Sequence, residues 1–409
     1  MKVAYVVAEF PSLTETFILR ELSALASLGT DLSVFALRHP SSGPYHPDAR
    51  PFLKRSFYPP RLLGTRTPTL VWRALQRHPA RCFVLFRHSL HCWAGPAAFL
   101  KSLRHFFTAL HFAEECRRLG VEHVHAHFAH ITSDVARVIA ELCDLSWSAS
   151  VHAWDIYAQR PGVARSRLAG AAFVVSCTDH GRRLVQEWFA EGTTSVVLIR
   201  HGLPLDSFEP GGECRLPLVV AVGRLVPKKG YDQLIEACSI LNRRNVKFRC
   251  AIVGDGSLRT ALQSQIHRLG LGGVVHLEGP RLQDAVRSLL ASATVFVAPS
   301  VVADDGDRDG LPNSVLEALA LETPVIVTHA SAATEVVRDG WNGFVVPPGN
   351  PEALAGKIET VLRDPALRAR MGRAGREAVA REFDASRTGR QLLELFQAAR
   401  KRRSRDHAP

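Results

Sequence analysis

Apolar residues recur along this chain in short runs, with amphipathic stretches between them. Residues 3–8 form the first run. The stretch 15–28 behind it repeats its apolar residues at helical spacing and stops at Gly29, and 31–37 is the next run. Further runs lie at 123–128, 148–152, 173–176 and 196–199. The rhythm restarts at Pro217, with runs at 218–222, 248–253, 274–277, 294–298, 325–328 and 344–346. Helical spacing fits 231–242, 258–269, 282–290, 313–321, 351–363 and 366–383. Short runs that are apolar throughout predict strands covered on both faces, and the helices between them predict the crossovers of parallel sheets.

Two such half-chains predict an α/β protein with two doubly wound, Rossmann-like domains. The boundaries fall at 1–205 and 206–385, followed by a C-terminal helix and basic tail at 386–409. The linker is placed at 201–215, which holds three Gly and two Pro and little periodicity. Two parts break the rhythm. Residues 40–110 are long, basic and rich in aromatic residues and His, and read as an insertion in the first domain. The run from Arg400 to Arg405 reads as a solvated, disordered tail.

Length and composition narrow the class. A chain of 409 residues with 46% hydrophobic and 22% charged residues, and a mean hydropathy of zero, is globular and excludes disorder and collagen. The longest uncharged run, 288–303, is too short for a membrane span and contains Pro299. The start of the chain reads as a strand, not as a signal-peptide core. The eight cysteines show no paired spacing, which fits reduced core thiols in a cytoplasmic protein. The net charge of +12 is concentrated: from Arg50 to Arg118, eleven Arg and two Lys stand against Glu114 and Glu115. So local an excess predicts a partner surface of opposite sign.

The chemistry lies in the second half. Gly223-Arg224 through Lys229-Gly230 follows a strand and precedes a helix, so Arg224 and Lys229 project where open α/β sheets bind ligands. Two fixed cations there suit a diphosphate; ordinary loop charge is the plain alternative. Gly254-Asp255-Gly256 is a second strand-to-helix turn, in which Ser257 is expected to cap the next helix. Gly279-Pro-Arg281 ends a third strand and suits a nucleotide base. Asp309-Gly310-Leu311-Pro312-Asn313-Ser314, with Glu317 eight residues after Asp309, places one carboxylate before a helix and one just over a turn inside it. Its first amides attract anions. Carboxylates for sugar hydroxyls beside amides for phosphate suit a nucleotide sugar.

These motifs, in this order, resemble the retaining glycosyltransferases of the GT-B fold, family 4, whose pattern is G-R-x4-K-G, G-D-G, E-G-x-P-x4-E-A and G-x-P-V. Thr323-Pro-Val325 and the turn Trp341-Asn-Gly-Phe-Val-Val-Pro347 also match. Asp309 departs from the first Glu of the pattern, and Glu322 stands where the family often has Gly. The opening from Glu9 to Ile18 is similar to that of transferases building colanic-acid-type exopolysaccharides, as are Val124-His-Ala-His-Phe128 and Val151-His-Ala-Trp-Asp155.

The resemblance implies a GT-B protein whose two domains face a central cleft. It implies hexose transfer, with retention, from a nucleoside-diphosphate sugar to a carbohydrate acceptor. Donor-side roles fall to Asp309, Glu317, Arg224 and Lys229, and His152 contacts the sugar. Glu15, Thr16 and Asp155 lie on the acceptor side. It implies no metal and no cofactor beyond the sugar-nucleotide substrate. His125 and His127 are given a structural role, with no carboxylate partner evident, and Asp305-Gly-Asp307 is set aside as a polar loop. Between Tyr58 and Phe112, Arg and Lys interleave with Trp72, Phe83, Phe86, Trp93, Phe99, Phe106 and Phe107. That interleaving suits an anionic bilayer and a lipid-linked acceptor, hence a cytoplasmic protein peripheral on the membrane. A plain helical subdomain is the alternative. No nucleic-acid module is present. Two other readings stay open: a nucleotide-sugar isomerase of the same architecture, and a non-catalytic sugar-nucleotide-binding assembly protein.

Overall fold

A computed structural model describes residues 1–12, 14–40, 45–59, 67–77, 79–91, 96–189, 194–211 and 216–406, without the side chains of 67, 68, 70, 87–91, 96–102 and 406. It comprises two compact units, Met1–Arg200 with Ser386–Pro409, and His201–Ala385.

The first unit is built on seven parallel strands: β1 Lys2–Glu9, β2 Asp31–Arg38, β3 Ser56–Phe57, β4 His123–His127, β5 Ser146–Val151, β6 Phe173–Ser176 and β7 Ser195–Leu198. Their order is β3-β2-β1-β4-β5-β6-β7, so the chain reverses its direction of winding at β1 and β4. Tyr5 of β1 lies in register with Val34 on one side and His125 on the other. Helices cover both faces, which is why strands β4, β5 and β6 carry no exposed residue. Helix Thr16–Ser27 buries Ile18, Leu19, Leu22 and Leu25. The edge strand β3 is two residues long and carries no apolar run, so hydrophobic patterning misses it.

The basic insertion folds as helices Thr67–Arg77, Pro79–His91 and Pro96–Leu119. The last is anchored by Phe106, Ala109, Leu110, Phe112, Ala113 and Cys116, all buried. Phe106 is therefore core, and Phe86 and Phe107 pack against that core. Trp72 and Phe83 are 63% and 68% exposed. Trp93 and the Phe99 side chain lie outside the described residues.

The residues expected as a disordered tail are helical. Helix Ala385–Asp406 runs through Arg405. Its apolar positions Leu392, Phe396 and Ala399 are buried in the core that also holds Tyr5, Ile18 and Phe173, and Arg400 pairs with Glu122 at 2.7 Å. A helix seated by its first four turns carries the basic turn with it.

The second unit has six parallel strands, β8 Leu218–Val222, β9 Arg249–Val253, β10 Val275–Gly279, β11 Val295–Ala298, β12 Val325–Thr328 and β13 Gly343–Val346, in the order β10-β9-β8-β11-β12-β13. Apolar clusters lie on both faces: Leu234, Ile235, Leu241 and Ile358 on one, Phe296, Leu316, Leu319 and Phe383 on the other. Each such side chain contributes about 1.5–3 kcal/mol by leaving water. Asn342 is fully buried: its amide donates to the Val336 carbonyl at 2.9 Å and its oxygen accepts from the Arg338 N–H at 2.7 Å. The Trp341–Pro347 turn is thus held by a side chain.

Candidate functional site

The parallel strands of the second unit end on one edge of the sheet, and the winding reverses between β8 and β11. That switch point is where open α/β sheets bind ligands. The loops leaving β8, β9 and β11 meet there. The Gly223 N–H donates to the Val253 carbonyl, the Leu225 N–H to the Asp255 carbonyl and the Leu258 N–H to the Leu225 carbonyl, each at 2.9 Å. Two glycines are demanded by this closeness. A Cβ on Gly254, whose φ is +139°, would collide with the Gly223 carbonyl oxygen; one on Gly223 would lie 2.7 Å from the Tyr231 hydroxyl.

Asp309 sits in the loop after β11 and is 6% exposed. Its Oδ2 accepts from the Ser300 hydroxyl at 2.7 Å and from Lys229 Nζ at 2.9 Å. Lys228, also buried, lies 4.0 Å from the other oxygen and 2.9 Å from Asp307. Tyr231 packs beside them, and burial and then the Asp309 charge push its phenol well above its ordinary range. Motif reading singled out Lys229 and Asp309 but passed over Lys228, Ser300, Tyr231 and Asp307. The double Lys was the available signal, since a buried ammonium requires a carboxylate. Asp307, set aside as a polar loop residue, is that carboxylate.

Helix Asn313–Ala320 begins at the same place. The Ser314 hydroxyl donates to the Val222 carbonyl at 3.2 Å, which sets the helix N-terminus against the end of β8. Asn313 Oδ1 lies 3.2 Å from His201 Nδ1, and the Gly310 carbonyl accepts the Ala332 N–H at 3.0 Å. Leu311 and Pro312 are buried, and Glu317 is 6% exposed inside the helix. Arg224 is exposed at the loop, with no ion-pair partner among the described residues. Asp255 is exposed, and its carboxylate accepts the Gly256 N–H at 2.9 Å. The helix after it starts at Arg259 with Leu258 in the cap position, so Ser257 is not the cap. Gly279 and Arg281 close the edge strand β10, where Arg281 pairs with Glu278 at 2.9 Å.

In the first unit, β1 leads through a turn to Glu15 and Thr16 at the start of helix Thr16–Ser27. Glu9, Ser12, Glu15 and His46 line a shallow recess there. His152 follows β5 and opens helix Ala153–Tyr157. Asp155 is fully buried and accepts the His152 N–H at 2.9 Å, so it fixes the backbone at the start of this helix. Burial pushes its carboxyl up to about 7, against the pull of backbone hydrogen bonds from His152 and Ala129 and of Arg167.

The alternating histidines of β4 meet the alternating serines of β5. His123 bridges Ser146 and Ser148 at 2.7 and 2.8 Å, and His125 bridges Ser148 and Ser150 at 2.7 and 3.0 Å. His127 does have a carboxylate partner: its Nε2 lies 3.2 Å from Glu21 Oε1, and its Nδ1 lies 3.1 Å from His152 Nε2. Burial, and then the charge of His127, push His125 down to about 3. The Glu21 carboxyl is pushed up by burial, but the charge and hydrogen bond of His127 prevail and bring it down to about 2.

Two doubly wound parallel sheets, one carrying polar loops at its switch point, define the GT-B fold class. The family model "Glycosyl transferases group 1" matches residues 208–378. A GDP-mannose-dependent α-(1-6)-phosphatidylinositol monomannoside mannosyltransferase of Mycolicibacterium smegmatis is 30% identical over 270 residues, 62% of this chain and 71% of that protein. The chain belongs to the group 1 glycosyltransferases. A protein named as the colanic acid biosynthesis glycosyltransferase WcaL of Salmonella typhimurium is 36% identical over 185 residues, 44% of this chain. The chain spans about half the length (45%) of that curated relative. Anabaena HepE, solved with UDP and glucose, shares the fold with a TM-score of 0.71 and 17% identity, over 97% of this chain and 99% of that one. Among the described residues, no helix is long and apolar enough to cross a membrane.

Proposed function

We propose that this chain is a retaining family 4 hexosyltransferase. It moves a hexose from a nucleoside-diphosphate sugar to a hydroxyl of a carbohydrate acceptor in the assembly of an exopolysaccharide or related surface glycan. The observation that carries this reading is the Lys229–Asp309 pair, 2.9 Å apart, beside the N-terminus of helix Asn313–Ala320 at the switch point. A diphosphate arriving there meets Lys229, the exposed Arg224 and the first helix amides, which offset the charge that grows on it as the sugar departs. Asp309 accepts from hydroxyls of the transferred sugar, Glu317 from those of the ribose, and the turns at Gly254–Gly256 and Gly279 admit the nucleoside. His152 meets the sugar in this reading.

The bond between the anomeric carbon and the diphosphate oxygen breaks, and a bond to the acceptor oxygen forms on the same face. The acceptor proton passes to the departing diphosphate, so no protein base is needed. The likeness to WcaL supports a polysaccharide product, and the likeness to HepE, solved with UDP and glucose, supports a nucleotide-sugar donor. Glu15 and Thr16 serve the acceptor. Exposed Trp72 and Phe83 on basic helices favour a lipid-linked acceptor, taken at the cytoplasmic face of a membrane.

Purified protein incubated with a panel of UDP- and GDP-sugars tests this. Release of nucleoside diphosphate from one donor is expected, with at least a hundredfold loss in Glu317→Ala. Release from no donor, together with no donor binding by calorimetry, overturns it.

A further inference from the structure

Two consecutive lysines of the loop after β8 reach two aspartates of the loop after β11, and the proposed chemistry uses only one of these pairs. Lys228 and Lys229 lie in the short turn Pro227–Lys229. Lys229 Nζ meets Asp309 Oδ2 at 2.9 Å. Lys228 is 6% exposed, and its Nζ lies 3.1 and 2.9 Å from the two oxygens of Asp307 and 4.0 Å from Asp309 Oδ1. Backbone fixes the base of the loop after β11, where the Val301 N–H donates to the Lys228 carbonyl at 2.9 Å. Farther out that loop closes on itself. The Ala303 N–H donates to the Asp307 carbonyl at 2.9 Å, the Gly306 N–H to the Ala303 carbonyl at 2.8 Å, and Asp305 accepts the Asp307 N–H at 3.0 Å.

We infer that Lys228 is a positioning residue for Asp309: paired with Asp307, it holds the outer end of this loop so that the Asp309 carboxylate stays on Lys229. This rests on the reading that brings Asp309 to the transferred sugar. Residue 309 leaves the closed turn two positions after Asp307, so the point at which Asp307 is held sets where Asp309 emerges. The Asp309 side chain has a single methylene and cannot make up for a displaced backbone as a longer acid can. Without Lys228, two carboxylates would share the one ammonium of Lys229 and repel each other. The side chains of Lys228 and Asp307 are 7% and 18% exposed, so the pair is enclosed and is not a screened surface bridge. A pair that served stability alone would be indifferent to the length of the acid at position 309.

Two measurements on the full chain test this. Hydrogen exchange of the free protein reads the loop. Lys228→Met, and separately the milder Asp307→Asn, are expected to speed exchange of the amides at 301–307 at least about tenfold, with those of helix Asn313–Ala320 unchanged. The double variant is expected to exchange no faster than the faster single one. Donor turnover reads the site. With a donor that the wild type turns over, Lys228→Met is expected to lower kcat about tenfold with donor KM within about threefold, because Arg224 and the helix amides still meet the diphosphate. Lys228→Arg keeps the charge and is expected to stay within about threefold of wild type. In an Asp309→Glu background the longer acid regains Lys229 from a slackened loop, so Lys228→Met is expected to cost less than about threefold. Unchanged exchange in both single variants overturns the inference, and so do losses at 228 and 309 that multiply. Exchange needs no turnover: faster exchange with release from no donor, in wild type as in the variants, overturns the transferase reading and not the hold of Lys228 on the loop.

Discussion

Lys229 Nζ lies 2.9 Å from Asp309 Oδ2, in a loop pair that the Ser300 hydroxyl also joins. The two side chains are 15% and 8% exposed, so each is costly to strand without the other. The pair links fold and chemistry: the cation assigned to the diphosphate is held by the carboxylate assigned to the sugar. Asp309→Asn keeps the hydrogen bonds but loses the charge. It is expected to lower unfolding free energy by about 2–3 kcal/mol, below the cost of breaking a fully enclosed pair, and to lower donor turnover about a hundredfold. Asp309→Glu keeps the charge and is expected to stay within about tenfold of wild type, since one methylene shifts a contact without removing it. Urea titration and nucleoside-diphosphate release read the two effects. Equal turnover in Asp309→Asn and wild type would remove Asp309 from the site.

Glu322 holds φ at +59° just past helix Asn313–Ala320. Its N–H donates to the Leu319 carbonyl at 3.1 Å, and the Thr323 N–H donates to the Ala318 carbonyl at 2.9 Å, the bonding of a Schellman close. A side chain in that region costs about 1–2 kcal/mol, while Gly gives back about 0.4–1 kcal/mol of unfolded-chain entropy. Glu322→Gly is therefore expected to raise unfolding free energy by about 0.5–1 kcal/mol, with unchanged donor turnover. A lower thermal midpoint would count against the strain.

How far the chain can be read in advance depends on whether burial leaves an apolar trace. Strands Phe173–Ser176, Leu218–Val222 and Val325–Thr328 and helix Pro351–Arg363 fall where the pattern puts them, because both faces of a doubly wound sheet are dry. Strand β5 starts two residues before its expected start, at Ser146, because its inward residues are serines bonded to histidines. Glu21 was illegible for a related reason. On an amphipathic helix a Glu reads as solvent-facing, and only the tertiary approach of His127 turns it inward. At the donor loops glycine spacing was informative, but the pairing of Lys228 with Asp307 across 79 residues was not. The last helix belongs to the first unit through Leu392 and Phe396, a relation that no local pattern announces.

Asp155 gives the stability a pH dependence of definite sign. Its carboxyl titrates at about 7 when folded, above the ordinary value of 3.8, so the native state binds the extra proton between those limits. The stabilisation is present in full below about 3.8 and is lost as pH rises through about 7. Within the window each proton is worth about 1.4 kcal/mol per pH unit. Asp155→Asn keeps an acceptor for the His152 N–H and has no charge to bury. It is expected to be more stable than wild type at pH 8 and to lose that advantage by pH 5, in urea titrations at both values. A constant difference between the two proteins would place the Asp155 titration elsewhere.

Helix Thr67–Arg77 presents Trp72 and Leu75 to solvent, 63% and 45% exposed, and helix Pro79–His91 presents Phe83 and Val84, 68% and 56% exposed. Arg73 and Arg77 stand beside them, each 3.4 Å from Glu114. Such contacts are weak in water, so lipid phosphates compete with Glu114 for both guanidinium groups. Aromatic side chains gain about 1.5–3 kcal/mol each when fully removed from water, and partial insertion of two of them is enough for a tenfold change. Trp72→Ala with Phe83→Ala is therefore expected to weaken co-sedimentation with phosphatidylglycerol-containing vesicles at least tenfold. Thermal midpoint and donor turnover in solution are expected to hold, because neither ring is part of the core. Binding to pure phosphatidylcholine is expected to be weak in both proteins, since the guanidinium groups then have no anionic partner. Equal sedimentation of wild type and variant with anionic vesicles would make these helices a plain subdomain and leave the acceptor without its argument for a lipid anchor.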